Sequence, residues 1–199
     1  MSGVGRWNRL VSMAPHVLDH PHPDRFVVGT VGLPGERTFF LQAKTGMTVH
    51  SVVLEKEQAE LLGERMNELL DMVRAKSADP QSIPLVPLAS HIDNAGLSIP
   101  IEPEFRIGTM SLGWDTLAGH LVVECFELTQ GDAEAGESAA PEVEDGRSKL
   151  RVVLTAAQAR EFARRADQVV NAGRQDCPFC SLPLDPDGHM CPRANGIAR

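Results

Sequence analysis

Phe26-Val27-Val28-Gly29-Thr30-Val31 recurs as Phe105-Arg106-Ile107-Gly108-Thr109-Met110, an offset of 79 positions. Farther along, Val52-Val53-Leu54-Glu55-Lys56-Glu57-Gln58-Ala59 recurs as Val152-Val153-Leu154-Thr155-Ala156-Ala157-Gln158-Ala159, now offset by 100. Self-similarity on this scale means that one structural unit is used twice. The growing offset requires an insertion in the second copy. Residues 131–147 (GDAEAGESAAPEVEDGR) supply it, where the first copy has only a turn around Thr45-Gly46. Their acidic, Ala/Gly-rich composition is that of a disordered loop.

Each copy reads the same way. The opening strand, about 25–31 and 105–112, is rich in β-branched and aromatic residues. Gly32-Leu33-Pro34-Gly35 signals a turn into Arg37-Thr38-Phe39-Phe40-Leu41-Gln42, whose counterpart is His120-Leu121-Val122-Val123-Glu124-Cys125-Phe126. Third strands at about 47–54 and 148–154 lead into helices at roughly 55–76 and 155–173, with Thr155 as an N-cap. Ala59, Leu62, Met66, Leu69, Leu70 and Val73 make one apolar helical stripe, and Ala159, Phe162, Ala166, Val169 and Val170 repeat it in phase.

Strands joined by short turns are antiparallel, and three of them with one helix bury too little for independent stability. The sequence therefore predicts an α+β fold in which two β-β-β-α units merge. The expected product is a six-stranded, mainly antiparallel sheet with a pseudo-two-fold axis and both helices on one face. Residues 1–176 would form this duplicated domain, with copies at about 16–77 and 98–174, and residues 177–199 a separate tail. Residues 78–104 are rich in Pro and apolar side chains (Ile83 to Leu88, Ile99 to Ile101), which suits an extended segment packed on the surface.

Composition narrows the function. The 199 residues are 42% hydrophobic and 23% charged, enough to fold without staples. A net charge of −8 argues against a nucleic-acid partner, since phosphate neutralisation needs clustered Lys and Arg. With 7 Phe, 2 Trp and no Tyr there is little for base stacking. MSGVGRWNRLVSMAP has no signal-peptide apolar run, and no stretch approaches the ~18 apolar residues of a membrane span. A soluble, cytoplasmic protein with no membrane partner is expected.

Three of the four cysteines crowd the carboxyl end, as Cys177-Pro178-Phe179-Cys180 and Gly188-His189-Met190-Cys191. Two residues between thiolates let both sulfurs bind one tetrahedral ion. The intervening prolines and Gly188 read as a turn that returns His189 and Cys191 to it. The expectation is a structural zinc knuckle on Cys177, Cys180, His189 and Cys191. A redox pair is disfavoured, because a reactive thiol needs a depressed pKa, typically from a helix N-terminus, whereas this one follows a helix end. A disulfide conflicts with the cytoplasmic reading. His189 and Cys191 are only two positions apart, so His16, His20, His22 or another chain is the alternative source of the fourth ligand. Cys125, within an apolar strand, reads as a small buried hydrophobe.

His16, His20 and His22, with Asp19 and Asp24, resemble a divalent-ion site. They are where a metal-dependent hydrolase or phosphate-handling enzyme would be sought. The favoured reading is a solvated, proline-stiffened lead-in to the first strand: no helical frame fixes these side chains, and Pro100-Ile101-Glu102-Pro103-Glu104 in the second copy has no histidine. Gly29 to Gly35 lacks the Lys and Ser/Thr of a phosphate loop and joins strand to strand, so it is a hairpin turn. Arg160, Arg164 and Arg165 on the second helix, and Glu57, Glu60, Glu64, Glu68 and Asp71 on the first, read as solvated helix faces that attract each other.

The repeated F-x-x-G-T strands, the VVL-xxx-QA helix starts and the tail CPFC…LDPDGHMCPRANG resemble an actinobacterial family of uncharacterised proteins, domain of unknown function 3090. The likeness spans nearly the whole chain. The family brings no established activity. It implies a bacterial cytoplasmic setting and, from its usual gene neighbours, a shared pathway or complex with a histidine-phosphatase-like and a kinase-like protein. The sequence thus points to a non-catalytic, zinc-containing adaptor or scaffold for a protein partner, with no catalytic residues assigned.

Overall fold

A computed structural model describes residues 16–33, 36–129, 146–172, 179–180 and 191. Among these residues the chain is α+β. Its strands are β1 (Val17–His20), β2 (Arg25–Val31), β3 (Thr38–Thr45), β4 (Thr48–Leu54), β5 (Pro103–Asp115), β6 (His120–Glu127) and β7 (Lys149–Leu154). Helix α1 (Lys56–Lys76) follows β4, and α2 (Ala156–Asn171) follows β7. Both helices start with a capping box. Gln58 Oε1 accepts from the Glu55 backbone N–H at 2.9 Å, and Gln158 Oε1 from that of Thr155 at 3.0 Å, satisfying otherwise orphaned donors.

The strands form one sheet in the order β1-β7-β6-β5-β4-β3-β2. Only β1–β7 and β4–β5 are parallel; the other pairs are antiparallel. β5 pairs with β4 through Pro103 and Arg106, then with β6 from Ile107 to Asp115. β1 and β2 divide the same two tasks, β1 along β7 and β2 along β3. The sheet's two outermost strands are consecutive in the chain, joined by residues 21–24, so the sheet curls back on itself.

The six strands and two helices expected from the sequence are present, and β1 is a seventh strand within the stretch read as a solvated lead-in. Four residues bounded by prolines carry too little pattern to announce a strand. β1 forms because Leu18 and His20 find buried seats on its inner face.

Alternate strand residues fill one core with the helices. Val28, Leu41, Val52, Phe105, Ile107, Leu121, Val123, Leu150 and Val152 meet Leu62, Met66, Leu70, Phe162 and Ala166. Phe26 stacks on Phe162 with ring centroids 4.7 Å apart. Cys125 is fully buried, which pushes its thiol pKa up to about 12 and leaves it inert. No helix among the described residues is long and apolar enough to cross a membrane.

The helices touch through small residues. A Cβ built on Gly63 would lie 3.0 Å from Ala166 Cβ and 3.5 Å from the Ala163 backbone. Gly63→Val should therefore force the helices apart and lower unfolding free energy by about 1–3 kcal/mol, the usual cost of overpacking, read as a lower urea midpoint with an unchanged slope.

Candidate functional site

The segment between α1 and β5 contains two short 3-10 turns, Pro80–Ser82 and Ala89–His91, and is bound to the sheet by arginines. Arg25 on β2 pairs with the Asp93 carboxylate and donates to the carbonyls of Ala95 and Gly96, each at 2.9 Å. Arg165 on α2 donates to Val28 O on β2 at 2.7 Å, Asp93 O at 2.6 Å and Ala95 O at 2.8 Å. Glu161 accepts from the Asp93 backbone N–H at 2.9 Å while pairing with Arg164 at 2.7 Å. The Arg25 hydrogen bond holds Asp93 below the usual carboxylate range, helped by the Ala95 backbone N–H and opposed by burial. Beyond this clamp Leu97 sits over Gly29, where a Cβ would come within 2.7 Å of its side chain, and Ser98 exchanges two hydrogen bonds with Gln42.

The arginines of α2 are thus not a solvated face. Arg160 is 4% exposed and Arg165 6%. Arg160 pairs with Asp71 of α1 and donates to Asn67 Oδ1 at 2.8 Å and Pro84 O at 2.9 Å. Spacing alone cannot reveal this, because half of these acceptors are carbonyls of a distant irregular segment. A cleft of about 350 Å³ lies beside Arg25, His91, Asp93, Glu161 and Arg165. Its main charges are already paired with one another, so it fixes the segment in place.

Among the described residues, the corresponding region of the other half has no covering segment. Arg65 occupies on α1 the position of Arg165 on α2, yet among the described residues it pairs with Glu68 at 2.6 Å on the surface and not with a linking segment. α1 meets the backbone of β5 through Gln58, whose Nε2 donates to Gly108 O at 3.0 Å. Beyond that point a groove of about 320 Å³ separates them, walled by Leu61, Leu69 and Met72 on α1 and by Met110 and Leu112 on β5. A second hollow of about 370 Å³ lies farther along the same two elements, between Val73 and Trp114. Leu61 is 46% exposed and Met72 54%. Both lie off the core-facing stripe, and that is the sequence signal that would have found the groove.

The amino-terminal histidines do not converge. His20 is 1% exposed; its Nδ1 lies 2.7 Å from Thr45 Oγ1 and its Nε2 2.9 Å from His50 Nδ1. His22 instead packs edge-on against His120, and His16 lies 3.9 Å from Glu104. Asp19 pairs with Arg151 at 3.0 Å, and Asp24 accepts from the Gly46 backbone N–H at 2.6 Å. Among the described residues no group of three or more His, Cys, Asp or Glu could hold a metal ion. Of the four expected zinc ligands, Cys177 and His189 lie outside the described residues, while Cys180 and Cys191 are half-buried. The acidic stretch 131–147 lies outside them too, except for its last two residues.

A family model described as a protein of unknown function (DUF3090) matches residues 16–191. No curated protein and no solved structure matches the chain.

Burial first, then the charge of His50, holds the His20 pKa below its ordinary value, with Asp19 opposing. The unfolded chain therefore takes up a proton near pH 6.5 that the folded one refuses. This contribution to stability is complete above that pH and falls as the pH drops toward the folded-state value. His20→Gln should lower stability at neutral pH but flatten its decline between about pH 7 and pH 5, measured as urea midpoints across that range.

Proposed function

We propose, from the premise that the chain belongs to the DUF3090 family of proteins of unknown function, that it is a non-catalytic adaptor or scaffold that docks a protein partner. The groove between α1 and β5 carries this reading. An apolar hollow rimmed by charge on an otherwise well-packed body is the usual mark of an interaction surface. The other polar clusters are already engaged: the arginine clamp binds the linking segment, and the histidines of the amino-terminal stretch are dispersed. The reading places the chain in an actinobacterial cytoplasm, with the phosphatase-like or kinase-like proteins implied by the family resemblance as candidate partners.

In this proposal an ancestral β-β-β-α unit was duplicated. The matched pairings of β5 with β1 plus β2, and the capping boxes at Gln58 and Gln158, support that history. A structural zinc ion on Cys177, Cys180, His189 and Cys191 would order the tail. Its support is the C-x2-C-x8-H-x-C spacing, a closed ligand set suited to folding rather than catalysis.

Two measurements test these statements. Leu61→Asp with Met72→Asp should release a partner that co-purifies with the native chain. Met47→Asp, at a 96% exposed turn residue, should retain it, with unfolding midpoints of both variants near that of the parent. A partner retained equally by both variants removes the groove from the account. For the metal, one zinc per chain by elemental analysis, lost in Cys177→Ser, is the expected result. A metal-free native chain purified without chelator counts against the site.

A further inference from the structure

We infer that the partner enters the α1/β5 groove as an extended segment that adds a strand to the open edge of β5, with alternate apolar side chains in the groove and Lys or Arg beside them. The inference rests on the adaptor reading and specifies the chemistry of what binds there.

The backbone supplies the first argument. β5 pairs with β4 only as far as Arg106, and from Met110 to Asp115 it pairs with β6 alone. No strand among the described residues lies along its other edge. In an antiparallel pair, alternate residues turn their N–H and C=O groups away from the partner strand, so among the described residues this stretch offers a ladder with no strand on it. Strand addition to such an edge takes affinity from main-chain hydrogen bonds and specificity from pockets for alternate side chains.

The dimensions agree. From Leu61 to Val73 the helix rises about 18 Å at 1.5 Å per residue. From Met110 to Trp114 the strand covers about 14 Å at ~3.4 Å per residue. A five- or six-residue extended peptide has that length. Met110, Leu112 and Trp114 share one face of β5 and are half-buried against the core, presenting apolar side chains at the two-residue period of an added strand.

The other half of the molecule provides an internal precedent. The outer edge of β2 is covered by an irregular segment whose main-chain carbonyls are taken by Arg165 of the adjacent helix. Arg65 stands at the matching helical position, and among the described residues its guanidinium pairs with the exposed Glu68 carboxylate. It is placed to donate to the carbonyls of a guest segment in the same manner.

Charge selects the guest. Glu57, Glu64 and Glu68 recur at i, i+7 and i+11 on the face of α1 that carries Leu61 and Met72, and all three are exposed. Arg65 is the basic residue among them. A second copy of the chain would bring these carboxylates against each other, whereas Lys or Arg beside the apolar side chains of a partner would pair with them.

The test uses the full chain and a fluorescent ten-residue peptide that alternates Val or Leu with Lys and Thr, titrated by anisotropy. Binding is expected to weaken at least tenfold when alternate peptide amides along one edge are N-methylated. Replacing Lys by Glu, or introducing Leu61→Asp in the protein, should have a similar effect. Equal affinity for the N-methylated and parent peptides overturns strand addition. So does absence of peptide binding while the co-purifying partner remains groove-dependent, which leaves the adaptor reading intact. If neither peptide nor partner responds to the groove, both readings fall. A tenfold gain in peptide affinity on Trp7→Ser with Leu10→Ser would assign the groove to the chain's own leading segment. A dimer dissolved by Leu61→Asp in sedimentation would assign it to a second copy. Either result overturns the proposed guest.

Discussion

Arg165 closes the outer edge of β2. A guanidinium only 6% exposed is costly to bury unless its donors are filled, and here they reach Val28 O in the strand, and Asp93 O and Ala95 O in the linking segment. One side chain thereby ties a helix, an edge strand and an irregular segment together. Arg25 binds the same segment from the strand side, and the Asp93 carboxylate lies between the two cations. With the segment held, Leu97 and Ser98 cover the second face of β2 and β3. Val27, Phe40 and Gln42 are buried as well as the core-facing residues beside them.

The same clamp explains why two similarly built halves present different surfaces. The segment between α1 and β5 lies against β2. The corresponding edge of β5 receives no such cover among the described residues. Where Glu161 binds the Asp93 N–H on α2, α1 has Leu61, which is exposed. Among the described residues, the difference between the two edges thus comes down to where the linking segment lies and to a few helix positions such as Glu161 and Leu61.

Much of this was legible in the sequence. Strand and helix boundaries fell within a few residues of their observed positions, because β-branched alternation and the 3.6-residue stripe are local signals. Thr155 was readable as an N-cap for the same reason. β1 was missed, since Val17-Leu18-Asp19-His20 is short, flanked by proline and stabilised by pairing with Lys149 to Val152 far along the chain. Arg160 and Arg165 were misread as solvated: no periodicity reports that carbonyls of Pro84, Asp93 and Ala95 will arrive to receive them. The histidines were read mainly as a solvated lead-in rather than a site. Alternation along β1 and the turn at residues 21–24 do send His16, His20 and His22 to different neighbours, but His20 is buried rather than solvated.

An open strand edge beside apolar side chains is a hazard as well as a facility, since unpaired ladders invite indiscriminate strand pairing. The chain limits that hazard in three ways. The exposed ladder is short, ending where Asp115 Oδ1 accepts from the Leu117 and Ala118 backbone N–H groups at 2.9 Å. The register shift between Ile107 and Met110 interrupts the pairing where the edge opens, and such irregularities increase local twist and mismatch a flat neighbour. Along α1, Glu68 lines the groove and Glu57 and Glu64 are exposed on the same helix, so two identical edges approach against like charge. These features oppose self-pairing without occluding the groove, and they leave it suited to a guest whose charge is opposite to that of α1.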